Sequence, residues 1–207
     1  MKPWLHDILA CPICKFYPLD LTIFSYENDE DFFKELLDNY TIRDLNYHLN
    51  EKIPNWIEEE NQIYIKDNII IEKTNIKEYF SLIKSSLEEL NYVNDNTSYK
   101  YSKKCFNLAK TDIKNKILKY SESLNQKKID DILPELNFIN RLKIEIEIDK
   151  GLLFCSQCNR WYPIIDTIPF MLPDNYRDKE KELEFLIDHK ELLNKEFFNK
   201  NLKPFNL

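Results

Sequence analysis

The reading of this chain turns on two short stretches, Cys11-Pro12-Ile13-Cys14 and Cys155-Ser156-Gln157-Cys158. Each is a C-x-x-C pair of thiols set on an expected turn. Together they supply four sulfurs, the ligand set of a closed tetrahedral zinc site. A single pair is also a redox signature, but a thioredoxin-like pair opens a helix in a βαβ context. Here both pairs are flanked by strand patterns, so the sequence points to a metal. Iron in an all-sulfur site is the remaining chemical alternative. If Cys11, Cys14, Cys155 and Cys158 hold one structural Zn2+, the start of the chain must meet a segment near its end. Everything between is then an insertion into one small metal domain. Four thiolates leave no open coordination position, so such an ion contributes folding energy and does not activate water.

Working outward, Leu19, Leu21 and Ile23 alternate with Asp20 and Thr22, a half-buried strand leaving the first pair. Ahead of the second pair, Ile144, Ile146 and Ile148 alternate with Glu145, Glu147 and Asp149, which predicts another strand. Asp149-Lys150-Gly151 follows. Gly151 is the only glycine in the protein, and it is read here as the positive-φ residue of a tight hairpin turn. Leu152-Leu153-Phe154 then runs back to deliver Cys155. Trp161 to Ile165 is a third strand, Asp166-Thr167 a turn, and Ile168 to Pro173 a short apolar segment with prolines at both ends. A last helix is expected over roughly Arg177 to Lys200.

The intervening chain carries helical patterns over Asp29–Tyr40, Thr41–Asn50, Ile76–Val93, Tyr99–Leu124 and, despite Pro134, Ile129–Leu142. Trp56-Ile57 is expected to pack inward, and a small hairpin is expected within Ile63–Ile71. So long a connection without structure of its own would be very unusual, and the cost of closing it grows only logarithmically with length. The expected architecture is α+β: a small zinc-ribbon-like antiparallel β domain from residues 1–25 and 143–176, a large mostly helical insertion over 26–142, and a C-terminal helix within 177–207.

Composition bounds the function. The chain has 207 residues, 43% hydrophobic and 31% charged, as in soluble globular proteins. No run approaches the roughly 18 apolar residues of a membrane span, and Met1 to Asp7 does not read as a signal peptide. A net charge of −7 argues against a protein that grips nucleic acid by phosphate contacts, and favours a basic protein partner. Five cysteines without an export signal fit the reducing cytoplasm. The fifth, Cys105, sits in a helical pattern and reads as a small core residue. His6 lies near Cys11 and is an outside candidate for ligation; His48 and His189 stand in no ligand pair. One glycine excludes any phosphate-cradling glycine loop, and no nucleophile elbow is present. The runs Asp29-Glu30-Asp31 and Glu58-Glu59-Glu60 read as solvated faces, and Trp4, Trp56 and Trp161 as core. No catalytic constellation emerges.

Taken in order, Ile8-Leu9-Ala10-Cys11-Pro12-Ile13-Cys14, Pro18-Leu19-Asp20-Leu21, Gly151 to Cys158, Trp161-Tyr162-Pro163-Ile164 and Ile168 to Pro173 resemble the zinc-binding activator subunit of tRNA, rRNA and release-factor methyltransferases. The archaeal and eukaryotic members of that family carry a helical insertion between the two cysteine pairs, as here. Two departures stand out. Thr167 occupies a position where the family usually has glycine, and the insertion is longer than usual, with an extra C-terminal helix. The resemblance implies no activity of the chain's own. It implies a heterodimer with a catalytic subunit that uses S-adenosylmethionine, joined by strand addition with apolar side chains giving specificity. The side chains offered for that contact are Ile164, Ile168, Phe170, Met171 and Leu172. No membrane contact and no direct nucleic-acid contact are expected. The competing reading is a zinc-ribbon binding module of a transcription or RNA-processing complex.

Overall fold

The structure is a computed structural model that describes residues 1–43, 54–60, 62–124 and 128–207. Most of the helix expected over Thr41–Asn50, with His48, lies outside the described residues. In chain order the elements are α1 (Pro3–His6), β1 (Asp20–Tyr26), α2 (Glu30–Thr41), β2 (Asn55–Glu59), β3 (Gln62–Lys66), β4 (Thr74–Asn75), α3 (Ile76–Glu89) and β5 (Val93–Asp95). There follow α4 (Lys100–Leu108), α5 (Lys114–Ser121), α6 (Leu133–Ile144), β6 (Ile148–Cys155), β7 (Arg160–Ile165), β8 (Ile168–Pro169), α7 (Lys179–Asp188) and α8 (Lys195–Phe198). The protein is α+β. It folds into two compact units, Met1–Asn28 with Tyr92–Ser98 and Glu147–Leu207, and Asp29–Asn91 with Tyr99–Ile146.

The first unit is built on a five-stranded sheet in the order β5-β1-β6-β7-β8. Neighbours run antiparallel except β5, which pairs in parallel with β1, Leu21 opposite Val93. The sheet is therefore mixed, not wholly antiparallel as the sequence led us to expect. Alternation divides its side chains. Leu21, Leu153 and Tyr162 stand in one cross-strand row, and Ile23, Gly151 and Ile164 in the next. Phe24, Leu152, Phe154 and Trp161 belong to a cluster completed by Phe185, Leu186, Phe197 and Leu202 from the C-terminal segment. Burying these side chains stabilises the unit by about 1.5–3 kcal/mol for each.

Gly151 departs from its sequence reading. It is not in a turn and has no positive φ; it lies inside β6, opposite Ile23 and Ile164. A Cβ there would sit 2.8 Å from the Thr22 carbonyl oxygen and 3.3 Å from Ile164 Cδ1. The glycine is needed for close backbone approach, not for a turn. The alternation Ile144-Ile146-Ile148 was also misleading, because α6 runs to Ile144 and the strand begins only at Ile148. The single C-terminal helix is two: α7 ends at Asp188, and Asn194 caps α8 by accepting from the Phe197 N–H at 2.8 Å.

The second unit carries the other helices and a three-stranded sheet in the order β2-β3-β4. Asp29 caps α2 by accepting the Phe32 N–H at 2.9 Å. In α3, Tyr79, Phe80, Ile83 and Leu87 form the buried stripe the periodicity predicts. The long helix expected over Tyr99–Leu124 is α4 and α5 joined by a π-helical turn, Ala109–Ile113. Pro134 is tolerated because it falls in the first turn of α6, where its missing N–H has no helical partner to lose. The small hairpin is β2–β3, earlier in the chain than expected, and Trp56 and Ile57 on it are exposed, not packed inward. Among the described residues no helix is long and apolar enough to cross a membrane.

Candidate metal centre

The two C-x-x-C stretches fold alike. In each, the residue after the second cysteine takes a left-handed conformation, Lys15 at φ 63° and Asn159 at φ 57°. In each, that residue's N–H returns to the first cysteine's carbonyl, Lys15 to Cys11 and Asn159 to Cys155, both at 2.9 Å. This tight loop turns backbone N–H groups onto the sulfur. Ile13 and Cys14 donate to the Cys11 sulfur, and Gln157 and Cys158 to that of Cys155. Donors of this kind favour thiolates, the form that binds metal.

The four sulfurs lie within 4.8 Å of one another. Cys11 and Cys158 are 3.7 Å apart and Cys14 and Cys155 3.5 Å apart. Four metal–sulfur bonds of about 2.3 Å in a tetrahedron give sulfur–sulfur edges of about 3.8 Å. The four cysteines are thus placed to hold one metal ion. Cys11 and Cys155 are buried, Cys158 is half-buried and Cys14 is exposed.

Strand β7 supplies the surroundings. Its period-two alternation turns Arg160 and Tyr162 toward the sulfurs and Trp161 into the opposite cluster. The Tyr162 hydroxyl lies 3.3 Å from Cys11 Sγ. The Arg160 guanidinium is held by Asp174, Nε to both carboxylate oxygens at 3.1 Å and Nη2 to Oδ2 at 2.9 Å, and it also reaches the Cys158 sulfur. Arg177 stacks its buried guanidinium 5.0 Å from the Trp161 ring and 5.2 Å from that of Tyr162, while pairing with Glu182.

Four thiols this close cannot share charge equally. Burial opposes ionisation of Cys11, yet the N–H of Cys14, the Tyr162 hydroxyl and the N–H of Ile13 bring its thiol down to about 6. Burial pushes the Cys155 thiol well up, reinforced by the neighbouring sulfurs of Cys14 and Cys158. One sulfur ionises readily and its neighbours then resist, which is the behaviour of a cluster that needs a cation to balance it.

His6 is not among the clustered ligands. Its ring is buried, with Nε2 2.7 Å from the Leu19 carbonyl. Cys105 is buried in the second unit, its sulfur 3.4 Å from the Phe33 carbonyl. Of the tryptophans, Trp161 is core, whereas Trp4 and Trp56 are each 36% exposed.

The apolar run beyond β7 is divided by the fold. Ile164 is completely buried between Gly151 and Pro169, so it is core and not contact surface. Ile168, Phe170 and Leu172 are 57%, 38% and 43% exposed, and Met171 is half-buried. They lie on and just past β8, the outermost strand on that side of the sheet. The sequence-based reading did not anticipate Arg160 and Tyr162; the signal was their spacing of +2 and +4 from Cys158, with Tyr162 on the strand expected over Trp161 to Ile165.

A family model described as Trm112p-like protein matches residues 2–166 of the chain. No curated protein and no solved structure matches it.

Proposed function

This chain belongs to the Trm112p-like family, the zinc-binding activators of methyltransferases, and on that premise we propose that it is the non-catalytic subunit of a heterodimer. Its partner is an S-adenosylmethionine-dependent methyltransferase acting on tRNA, rRNA or a translation release factor in the cytoplasm. The observation that carries this reading is the join between the sulfur cluster and the β8 edge. Cys155 and Cys158 fix β7, β7 fixes β8 through the Ile165–Ile168 and Ile164–Pro169 pairs, and β8 leads into exposed Phe170 and Leu172. In this reading Cys11, Cys14, Cys155 and Cys158 hold one Zn2+, which supplies rigidity and no chemistry. Ile168, Phe170, Met171 and Leu172 are the apolar contact, and the edge of β8 accepts a strand of the partner. Pro169 removes one edge donor and so shortens the stretch that can pair, which keeps the edge from indiscriminate association.

The test is Phe170→Glu. It leaves zinc content and helical circular dichroism at wild-type values, because Phe170 is partly exposed, and it abolishes co-purification with a co-expressed methyltransferase. A charge forced against an apolar partner costs several kcal/mol, which lowers affinity by orders of magnitude. A folded variant that still captures its partner at full strength overturns the assigned surface. Wild-type protein that neither binds any methyltransferase nor raises its activity overturns the function.

A further inference from the structure

The centre is lopsided. Among the described residues two sulfurs have side-chain donors, both from β7: Tyr162 on Cys11, at 3.3 Å, and the Asp174-anchored Arg160 on Cys158. These two sulfurs are neighbours, 3.7 Å apart. Cys155 has no such side chain among the described residues but is completely buried at the end of β6, with two backbone N–H groups on its sulfur. Cys14 differs on both counts. It is exposed, and among the described residues its sulfur is reached by the N–H of Phe16 and the other sulfurs. The cation of its own loop, Lys15, is turned away to the Pro12 carbonyl at 2.9 Å. The loop around it is also open, with Ile13 42% exposed.

Electron density on a metal-bound thiolate is drawn down by each hydrogen bond to the sulfur, and groups outside the ligand shell set how firmly a ligand is held. Among thiolates that are all deprotonated on a metal, a sulfur with fewer donors and free access is the more nucleophilic. Resting on the proposed zinc reading, we infer that Cys14 is the sulfur through which electrophiles unload this centre, and that Tyr162 and Arg160 hold the opposite pair, Cys11 and Cys158, in place. The reaction is substitution at carbon. The Cys14 sulfur forms a bond to the electrophile's carbon, the carbon–halide bond breaks, and halide leaves with its electron pair. The sulfur becomes a neutral thioether, and three thiolates then hold the ion less tightly.

The experiment uses full-length protein loaded with Zn2+ and limiting iodoacetamide. Sites are mapped by peptide mass spectrometry, and released zinc is followed with a chromogenic chelator. Wild-type protein acquires its first label on Cys14, and zinc release tracks that label. Zinc transfer from Tyr162→Phe or Arg160→Gln to EDTA is roughly 10- to 100-fold faster, with labelling spreading to Cys11 and Cys158. Arg160→Lys restores part of the retention, and Asp174→Asn loosens it without touching a sulfur donor. In Co2+-loaded protein, Tyr162→Phe shifts the sulfur-to-cobalt charge-transfer band, a readout that loss of packing alone does not move. First labelling at Cys11, Cys155 or Cys158 overturns the inference without recourse to any variant, as does unchanged metal retention in folded Tyr162→Phe and Arg160→Gln. A chain that takes up no zinc fails earlier and overturns the metal reading instead.

Discussion

Replacing Gly151 by alanine adds one methyl group at the tightest point of the sheet. The new Cβ would lie 2.8 Å from the Thr22 carbonyl oxygen, a backbone atom of β1 that cannot rotate away. It would also meet Ile164 Cδ1 at 3.3 Å and Ile148 Cγ2 at 3.6 Å, of which only the former must yield. Relief requires β1 and β6 to separate by several tenths of an ångström. That weakens the pairing of Thr22 with Leu152 and Ile23 with residue 151. Overpacking of this kind costs about 1–3 kcal/mol. Against it stands the entropy an alanine saves in the unfolded chain, about 0.5–1 kcal/mol. The net expectation is a loss of about 1–2 kcal/mol. The assay is urea unfolding of the zinc-loaded protein followed by tryptophan emission, to which buried Trp161 of the same unit contributes. A midpoint at or above wild type refutes the close-approach argument, since the steric term would then be smaller than the entropic one.

Thr167→Gly should act in the opposite sense. Asp166 and Thr167 both have positive φ, 47° and 67°, in the turn between β7 and β8. A β-branched residue there is strained by about 1–2 kcal/mol, so glycine should raise the melting temperature; a lower one would show that the Thr167 side chain contributes more than its strain. Removing zinc with EDTA, or making Cys155→Ser, should unfold the first unit while much of the helical ellipticity persists, because the helices α2 to α6 belong to the other unit. Complete loss of ellipticity would show that the units do not fold independently. Cys105→Ala should leave metal content unchanged and cost about 1 kcal/mol, since a buried sulfur and its contact to the Phe33 carbonyl are lost; reduced zinc uptake would refute the ligand assignment.

The cysteine cluster was legible because C-x-x-C spacing is a local rule, and two copies of it need only the fold to meet. Strand β1 and helices α2 and α3 were legible from their hydrophobic periods. Helix α6 was harder to bound, because its buried residues include Glu135, Asn140, Arg141 and Lys143 as well as the apolar ones. Polar residues inside blur the period, and the alternation after Leu142 then suggested a strand. Strand β5 is only Val93–Asp95, too short for any pattern, and it is defined by its partner β1. Gly151 carried a true signal with the wrong mechanism. A lone glycine announces a backbone requirement, but a turn and a close approach look the same in one dimension. The exposure of Trp56 and the burial of Ile164 follow from strand position in the sheets, which composition does not encode.

The contact between Cys14 and Cys155 joins residues 141 positions apart in the chain. During synthesis the first pair of thiols leaves the ribosome long before the second exists. At roughly 5–20 residues per second the delay is roughly 7–30 s. Throughout that interval Cys11 and Cys14 can offer an ion only half of a tetrahedron, whereas the residues of the other unit have all been made before Cys155 appears. Acquisition of metal therefore waits until residue 158 has been made. A chain cut short before residue 158 cannot complete the site, and metal content reports whether synthesis has passed that point.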